Sequence, residues 1–158
     1  MIYRAPFYAI TKAIYQTLKT SDIGLEWFDS STPIEEIEQL FKNQEEFSYG
    51  VFGNSDADCL TNKDTAIWDA SIRLDVYSNY KGRKVISQKL EAVLNYLCTD
   101  KGWNGLQSSF VADGYQLISI DVGRLVINAP FYGDIGVWQS GSINVMFKVG
   151  QLSENEEE

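Results

Sequence analysis

The sequence predicts an α+β domain, a mostly antiparallel sheet with helices packed on one face. Two observations carry this. Residues 67–78, IWDASIRLDVYS, alternate strictly, with Trp68, Ala70, Ile72, Leu74 and Val76 against Asp69, Ser71, Arg73 and Asp75. A strand points successive side chains to opposite faces, so this is a half-buried strand with one wet side. After the short basic turn NYKGRK the period changes, and Ile86, Leu90, Val93 and Leu97 recur at helical spacing. Further runs of period two near the end of the chain, with helical runs elsewhere, place it among folds that cover one face of an antiparallel sheet.

The elements follow in order. Residues 6–20 read as a helix with Pro6 in its first turn, where a missing N–H is tolerated. Phe7, Ile10, Ile14 and Leu18 form its apolar stripe, and Thr20 to Gly24 end it. Leu25 to Phe28 is a short strand or a buried connector. A second helix starts at Thr32, with Thr32 as N-cap, Pro33 at the first helical position and Glu35 completing a capping box. Its stripe is Ile34, Ile37, Leu40 and Phe41. Phe47, Tyr49 and Val51 alternate, which gives a strand over 46–53. Residues 54–66, NSDADCLTNKDTA, read as a polar loop. The long strand and helix come next. Residues 101–105 read as a turn and 107–112 as a strand, joined by a hairpin at Asp113-Gly114 to a strand over 115–128 in which Gly123 is a candidate bulge. Residues 128–134 form a loop, and 136–149 the last strand, with Val137, Ile143, Val145, Phe147 and Val149 on one side. The organisation expected is a single domain over 1–150 and a disordered acidic tail over 151–158.

Composition bounds the function. The chain has 158 residues, enough for one domain with a real core. The net charge is -9; the tail's Glu154, Glu156, Glu157 and Glu158 account for four, so the body carries -9 + 4 = -5. An acidic body disfavours binding nucleic acid through phosphates, though not lining a path along which it slides. Nothing reads as a signal peptide or membrane helix, so the expectation is a protein made and kept in a cytoplasm.

The search for chemistry returns no catalytic, cofactor-binding or metal site. There is no histidine, which removes the commonest general base and metal ligand. Cys59 and Cys98 have no CxxC spacing and are expected to be free thiols. Asp56, Asp58 and Asp64 fail the calcium-loop template, which needs glycine where Thr61 stands and glutamate where Ile67 stands. Glu35, Glu36 and Glu38 are explained by a helix start. Lys81-Gly82-Arg83-Lys84 reads as a solvated turn. Among the four tryptophans, Trp138 lies on the polar side of its strand near Phe131-Tyr132. Two readings stay open there: an exposed interface, or rings covered by one another or by a helix of the same domain. The candidate interface residues are Phe131, Tyr132 and Trp138 together with Asp56, Asp58, Lys63 and Asp64 of the 54–66 segment.

The layout of AITKAIYQTLK, a YGVFG strand, LDVYSNYKG, the helix VISQKLEAVLNYL and a final SINVMFKV resembles the tail-completion and tail-terminator proteins of tailed bacteriophages. LDVYS, Leu74 to Ser78, is the closest local echo, and the likeness spans most of residues 5–149. The resemblance implies no catalysis and no cofactor. It implies a structural virion protein at the neck: a homo-oligomeric ring, a hexamer or larger, bound to a tail tube protein and a head-side connector, with DNA passing through unbound. Such a protein resides in the virion, and in host cytoplasm during assembly. The alternatives are another connector or stopper ring and, from a different class, a small ligand- or carbohydrate-binding module.

Overall fold

The computed structural model describes residues 2–62, 65–133 and 136–152. The elements are α1 (Phe7–Lys19), β1 (Glu26–Asp29), α2 (Ile34–Leu40), β2 (Ser48–Asn62), β3 (Thr65–Ser78), α3 (Arg83–Leu97), α4 (Asp100–Ala112), β4 (Tyr115–Ile127), β5 (Phe131–Gly133) and β6 (Gly136–Gln151). Among the described residues the sheet runs β1-β2-β3-β6-β4, with β5 also paired to β6. Only β1 and β2 are parallel. The fold class is α+β, as the sequence predicts.

The core strand behaves as its alternation requires. Trp68, Ala70, Ile72, Leu74 and Val76 are all buried, and with Ile143, Val145, Phe147 and Val149 of β6 they floor the main core. Three helices cover that face. α1 supplies Ile10 and Ile14, α3 supplies Ile86, Leu90, Val93 and Leu97, and α4 supplies Leu106 and Phe110. Phe7, expected on the apolar stripe of α1, is 44% exposed.

Several sequence expectations are corrected. Most of the 54–66 segment is strand: β2 continues to Asn62 and pairs with β3 from Asn62↔Thr65 inward. A bulge between Phe52 and Ser55 reverses the parity of β2. Phe52 before it and Ala57 and Cys59 after it therefore all reach the main core. Residues 100–112 form helix α4 instead of a turn and strand. Thr99 caps it, its Oγ1 accepting from Gly102 N at 3.1 Å. Gly102 is required there by close packing, since a Cβ on it would lie 2.0 Å from the Tyr96 carbonyl oxygen. Asp113-Gly114 is then the end of a helix, with Gly114 at φ +85°, and not a hairpin. Residues 131–133, expected in a loop, form the short strand β5.

The second helix also enters differently. Pro33 occupies the N-cap position of α2 with no side-chain cap, so the Thr32 capping box does not form. The chain turns into α2 through Asp29 instead, whose carboxylate accepts from Ser31 N at 3.1 Å and whose carbonyl accepts from Thr32 N at 2.9 Å. α2 packs on the face of the sheet opposite the other helices, where Ile37 and Phe41 meet Phe47, Tyr49 and Trp138 in a second core. The sheet is thus covered on one face by three helices and on part of the other by α2.

β4 carries register shifts at Leu117/Ser119 and Val122/Leu125. The second brackets Gly123, the bulge expected there. At the far end β6 extends past Gly150. Gln151 belongs to the strand, and Leu152 N donates to Gly114 O at 2.9 Å. The folded domain therefore includes 151 and 152, and the rest of the acidic tail lies outside the described residues.

Candidate interaction surfaces

Trp138 is 3% exposed. Its ring meets Phe47 edge-on at 5.3 Å and Tyr49 at 6.0 Å, beneath α2. The alternation placed it on the right side of β6, and the residues that cover it come from α2, about a hundred positions earlier. Expected at an interface, it packs against that helix instead and is buried within the subunit. Phe131 and Tyr132 stand differently. β5 pairs them with Trp138 and Val137, which fixes their backbone, while their side chains are 43% and 83% exposed.

Beside Phe131 runs an open groove of about 410 Å³, lined among others by Ile34, Tyr49, Tyr77, Phe131, Arg73 and Asp75. Tyr49 and Tyr77 stack at 5.2 Å. Burial, Tyr77 and Glu38 together push the Tyr49 phenol up to about 12. Burial and the Asp75 carboxylate also raise Tyr77, against the opposing pull of Arg73. Both hydroxyls are therefore neutral donors at physiological pH, with no base character to use. Arg73 is committed to Asp75, with Nε to Oδ1 at 2.9 Å.

Asp56 and Asp58 lie on the open sheet face farther along β2. Asp58 stands directly across from Asp69, and Asp69 across from Lys148. With Asp121 these groups line a shallow groove of about 420 Å³. Among the described residues its one cation, Lys148, sits 3.9 Å from Asp69 with both side chains nearly half exposed, a pair worth little. Asp56 accepts from Ser71 Oγ at 2.8 Å. Phe131/Tyr132 and Asp56/Asp58 are not brought together. Lys63 and Asp64 lie outside the described residues.

Sequence reasoning missed two features. Asp69, Asp121 and Lys148 join Asp56 and Asp58 only through strand pairing, which no local pattern announces. The outer stripe of α1 was legible. Tyr8 and Tyr15 recur at helical spacing opposite Ile10 and Ile14, and both are exposed. Farther out, Cys59 and Cys98 are unbridged, and desolvation raises the Cys98 thiol, away from nucleophilic reactivity. Among the described residues no group of three or more His, Cys, Asp or Glu is placed to hold a metal. No described helix is long and apolar enough to cross a membrane.

The fold has a solved counterpart. The chain is similar to one in the structure described as "Virion of native gene transfer agent (GTA) particle", with a TM-score of 0.62 at 14% identity, over 94% of this chain and 99% of that one. At this identity the likeness establishes the fold. No protein-family model matches the chain, and no curated protein sequence does.

Proposed function

We propose that this chain is a structural protein of a tailed-phage-like virion. In this reading it forms a homo-oligomeric ring at the neck, as a tail terminator or tail-completion protein between the tail tube and a head-side connector. The observation that carries the reading is the fold likeness, which takes in nearly the whole of a virion-particle chain. The likeness extends over 94% of this chain and 99% of that one. Its role is structural and not catalytic.

The surface chemistry supports this. A closed ring of identical subunits repeats one heterologous contact, which needs two different patches per subunit. Phe131 and Tyr132, on β5, pair with the start of β6. The N-terminal arm, with Ile2 and Tyr3 exposed, is tied to its other end: Gln151 Oε1 accepts from Arg4 N at 2.9 Å. From Trp138 to Gln151 the strand spans roughly 40 Å at the usual rise per residue, so exposed aromatics mark both ends of the subunit. The acidic sheet face around Asp56, Asp58, Asp69 and Asp121 suits a wall along which DNA passes without sticking.

A ligand-binding module is the second reading, favoured by the groove beside Tyr49 and Tyr77. Its weakness is that Trp138 and Tyr49 are covered by neighbouring rings, which leaves little flat aromatic surface for stacking. Native mass over rising protein concentration, with negative-stain images of the same samples, tests the proposal. Closed rings with an open centre are expected. A chain that stays monomeric up to its solubility limit overturns it, and a sugar or other small ligand bound in that groove would then favour the second reading.

A further inference from the structure

We propose that the outer stripe of α1 on one copy docks on the α2–β5 surface of the next copy. This rests on the ring reading above and names the two halves of its contact.

The two surfaces are complementary in charge. Residues 2–20 contain Arg4, Lys12 and Lys19 and not one acidic residue, in a chain whose net charge is -9. On α1 the inward face is taken by Ala9, Ile10, Ala13, Ile14, Thr17 and Leu18. Tyr8, Lys12, Tyr15 and Lys19 follow one another at spacings of four, three and four, which is the outward stripe of the same helix. Tyr8 is 77% exposed. The Lys19 ammonium lies 5.9 Å from the centre of the Tyr15 ring, so a cation and an aromatic face outward side by side. Lys12 is partly engaged by Asp113 at 3.1 Å, which leaves Lys19 as the principal cation.

The other surface has the opposite sign. Residues 26–46 carry seven acids and a single basic residue, Lys42. Glu35 and Glu36 are exposed on the first turn of α2. They adjoin Ile34, which with Phe131 of β5 and the acid Asp29 lines one groove on the α2 face, and both apolar side chains are left exposed. Ile34 and Leu40 were expected in the buried stripe of that helix, but only Ile37 and Phe41 reach the core. α2 therefore presents apolar groups outward as well as inward. An aromatic-basic stripe and an apolar-acidic patch match in both respects.

The occupant is a second copy because one subunit cannot join these surfaces itself. α1 belongs to the three-helix layer and α2 lies across the sheet from it. A contact between them can only run head to tail from copy to copy, which is the relation that closes a ring.

The test uses two double variants of the full chain. One, Tyr8→Ser/Lys19→Glu, spoils the α1 stripe and keeps the α2–β5 surface. The other, Ile34→Ser/Phe131→Ser, does the reverse. All four positions are exposed, so circular dichroism should match that of the unmodified chain. In sedimentation, each variant alone is expected to remain monomeric where the unmodified chain forms rings. An equimolar mixture is expected to form pairs and stop, because each pair holds one intact contact and two spoiled surfaces. Rings from either variant alone, or a mixture that stays monomeric, overturn this contact and leave the ring reading standing. An unmodified chain that stays monomeric up to its solubility limit overturns both.

Discussion

Trp27 of β1 stands opposite Gly50 of β2 in the parallel pair, and its ring fills the space that a side chain on Gly50 would take. A Cβ there would lie 2.4 Å from the Trp27 Cε3 atom. The same ring stacks on Phe52 at 5.3 Å, so it has no free direction in which to retreat. Gly50→Ala is expected to destabilise the fold by about 1–3 kcal/mol through overpacking. For a domain of this size that lowers Tm by roughly 2–4 °C per kcal/mol. A thermal melt unchanged from that of the unmodified chain would show that the ring can move aside.

Trp138 and Tyr132 are separated by one hairpin and should respond in opposite ways. Trp138→Ala removes the ring that α2 packs on and is expected to cost about 3–5 kcal/mol. Hydrogen exchange at Ile37 and Phe41 should rise with it. Tyr132→Ser touches a side chain that is 83% exposed and should change stability by no more than about 0.5 kcal/mol. Equal melts for the two variants would contradict the second core.

Alkaline titration should reveal that core too. The Tyr49 phenol is raised from 10.0 to about 12 in the folded chain, and Tyr77 and Tyr115 are raised as well. The unfolded chain therefore loses these protons first. The stabilisation is complete below pH 10 and is lost as pH rises from about 10 towards 12. Denaturant midpoints should fall across that window, and Tyr49→Phe should make the fall shallower. An unchanged slope in that variant would mean that Tyr49 ionises in the fold as readily as out of it.

Gln151 clasps the N-terminal arm. Its Oε1 accepts from Arg4 N at 2.9 Å and from Trp68 Nε1 at 3.4 Å, and its Nε2 donates to the Ile2 carbonyl. Gln151→Ala should loosen residues 2–5, which Tyr115 Oη still holds through the Arg4 carbonyl at 2.8 Å, while leaving the sheet intact, at a cost of about 0.5–1.5 kcal/mol for the net hydrogen bonding lost. Limited proteolysis at Arg4 is the readout: faster cleavage is expected, and an unchanged rate would show the arm to be held by other contacts.

The parts of the fold that were legible are those where one face decides the pattern. β3 announces itself because Trp68 to Val76 face a single core, and α3 because Ile86 to Leu97 do the same. The misreadings have local causes. Asp56-Ala57-Asp58-Cys59 does alternate, but its wet residues are charged and its dry ones small, so the polar character hid the period. Gly102 and Gly105 were read as breakers of structure; in the fold Gly102 lets α4 approach Tyr96. The helical spacing of Gly102, Leu106, Ser109 and Phe110, all buried, was the better signal. For the surfaces, Phe131 and Tyr132 were expected in a loop, where the sequence left exposure and coverage equally open; β5 fixes their backbone and leaves both side chains exposed. Burial of Trp138 depended on which face α2 would choose, and α2 is too short for its own periodicity to decide that.

β6 is the last strand in the described chain, yet it lies between β3 and β4. Until it has been synthesised, β3 can pair only with β2, and β4 has no partner strand at all. Half of the main core's floor is likewise missing, since Ile143, Val145, Phe147 and Val149 all come from β6. The earlier hairpin and helices can form as the chain emerges, but the sheet closes only by late, long-range pairing, the slow kind of folding step. Before that moment Phe131 has no strand to hold it and Gln151 is not there to clasp the arm. Nascent chains on neighbouring ribosomes therefore lack the finished surfaces that the proposed ring contact would use.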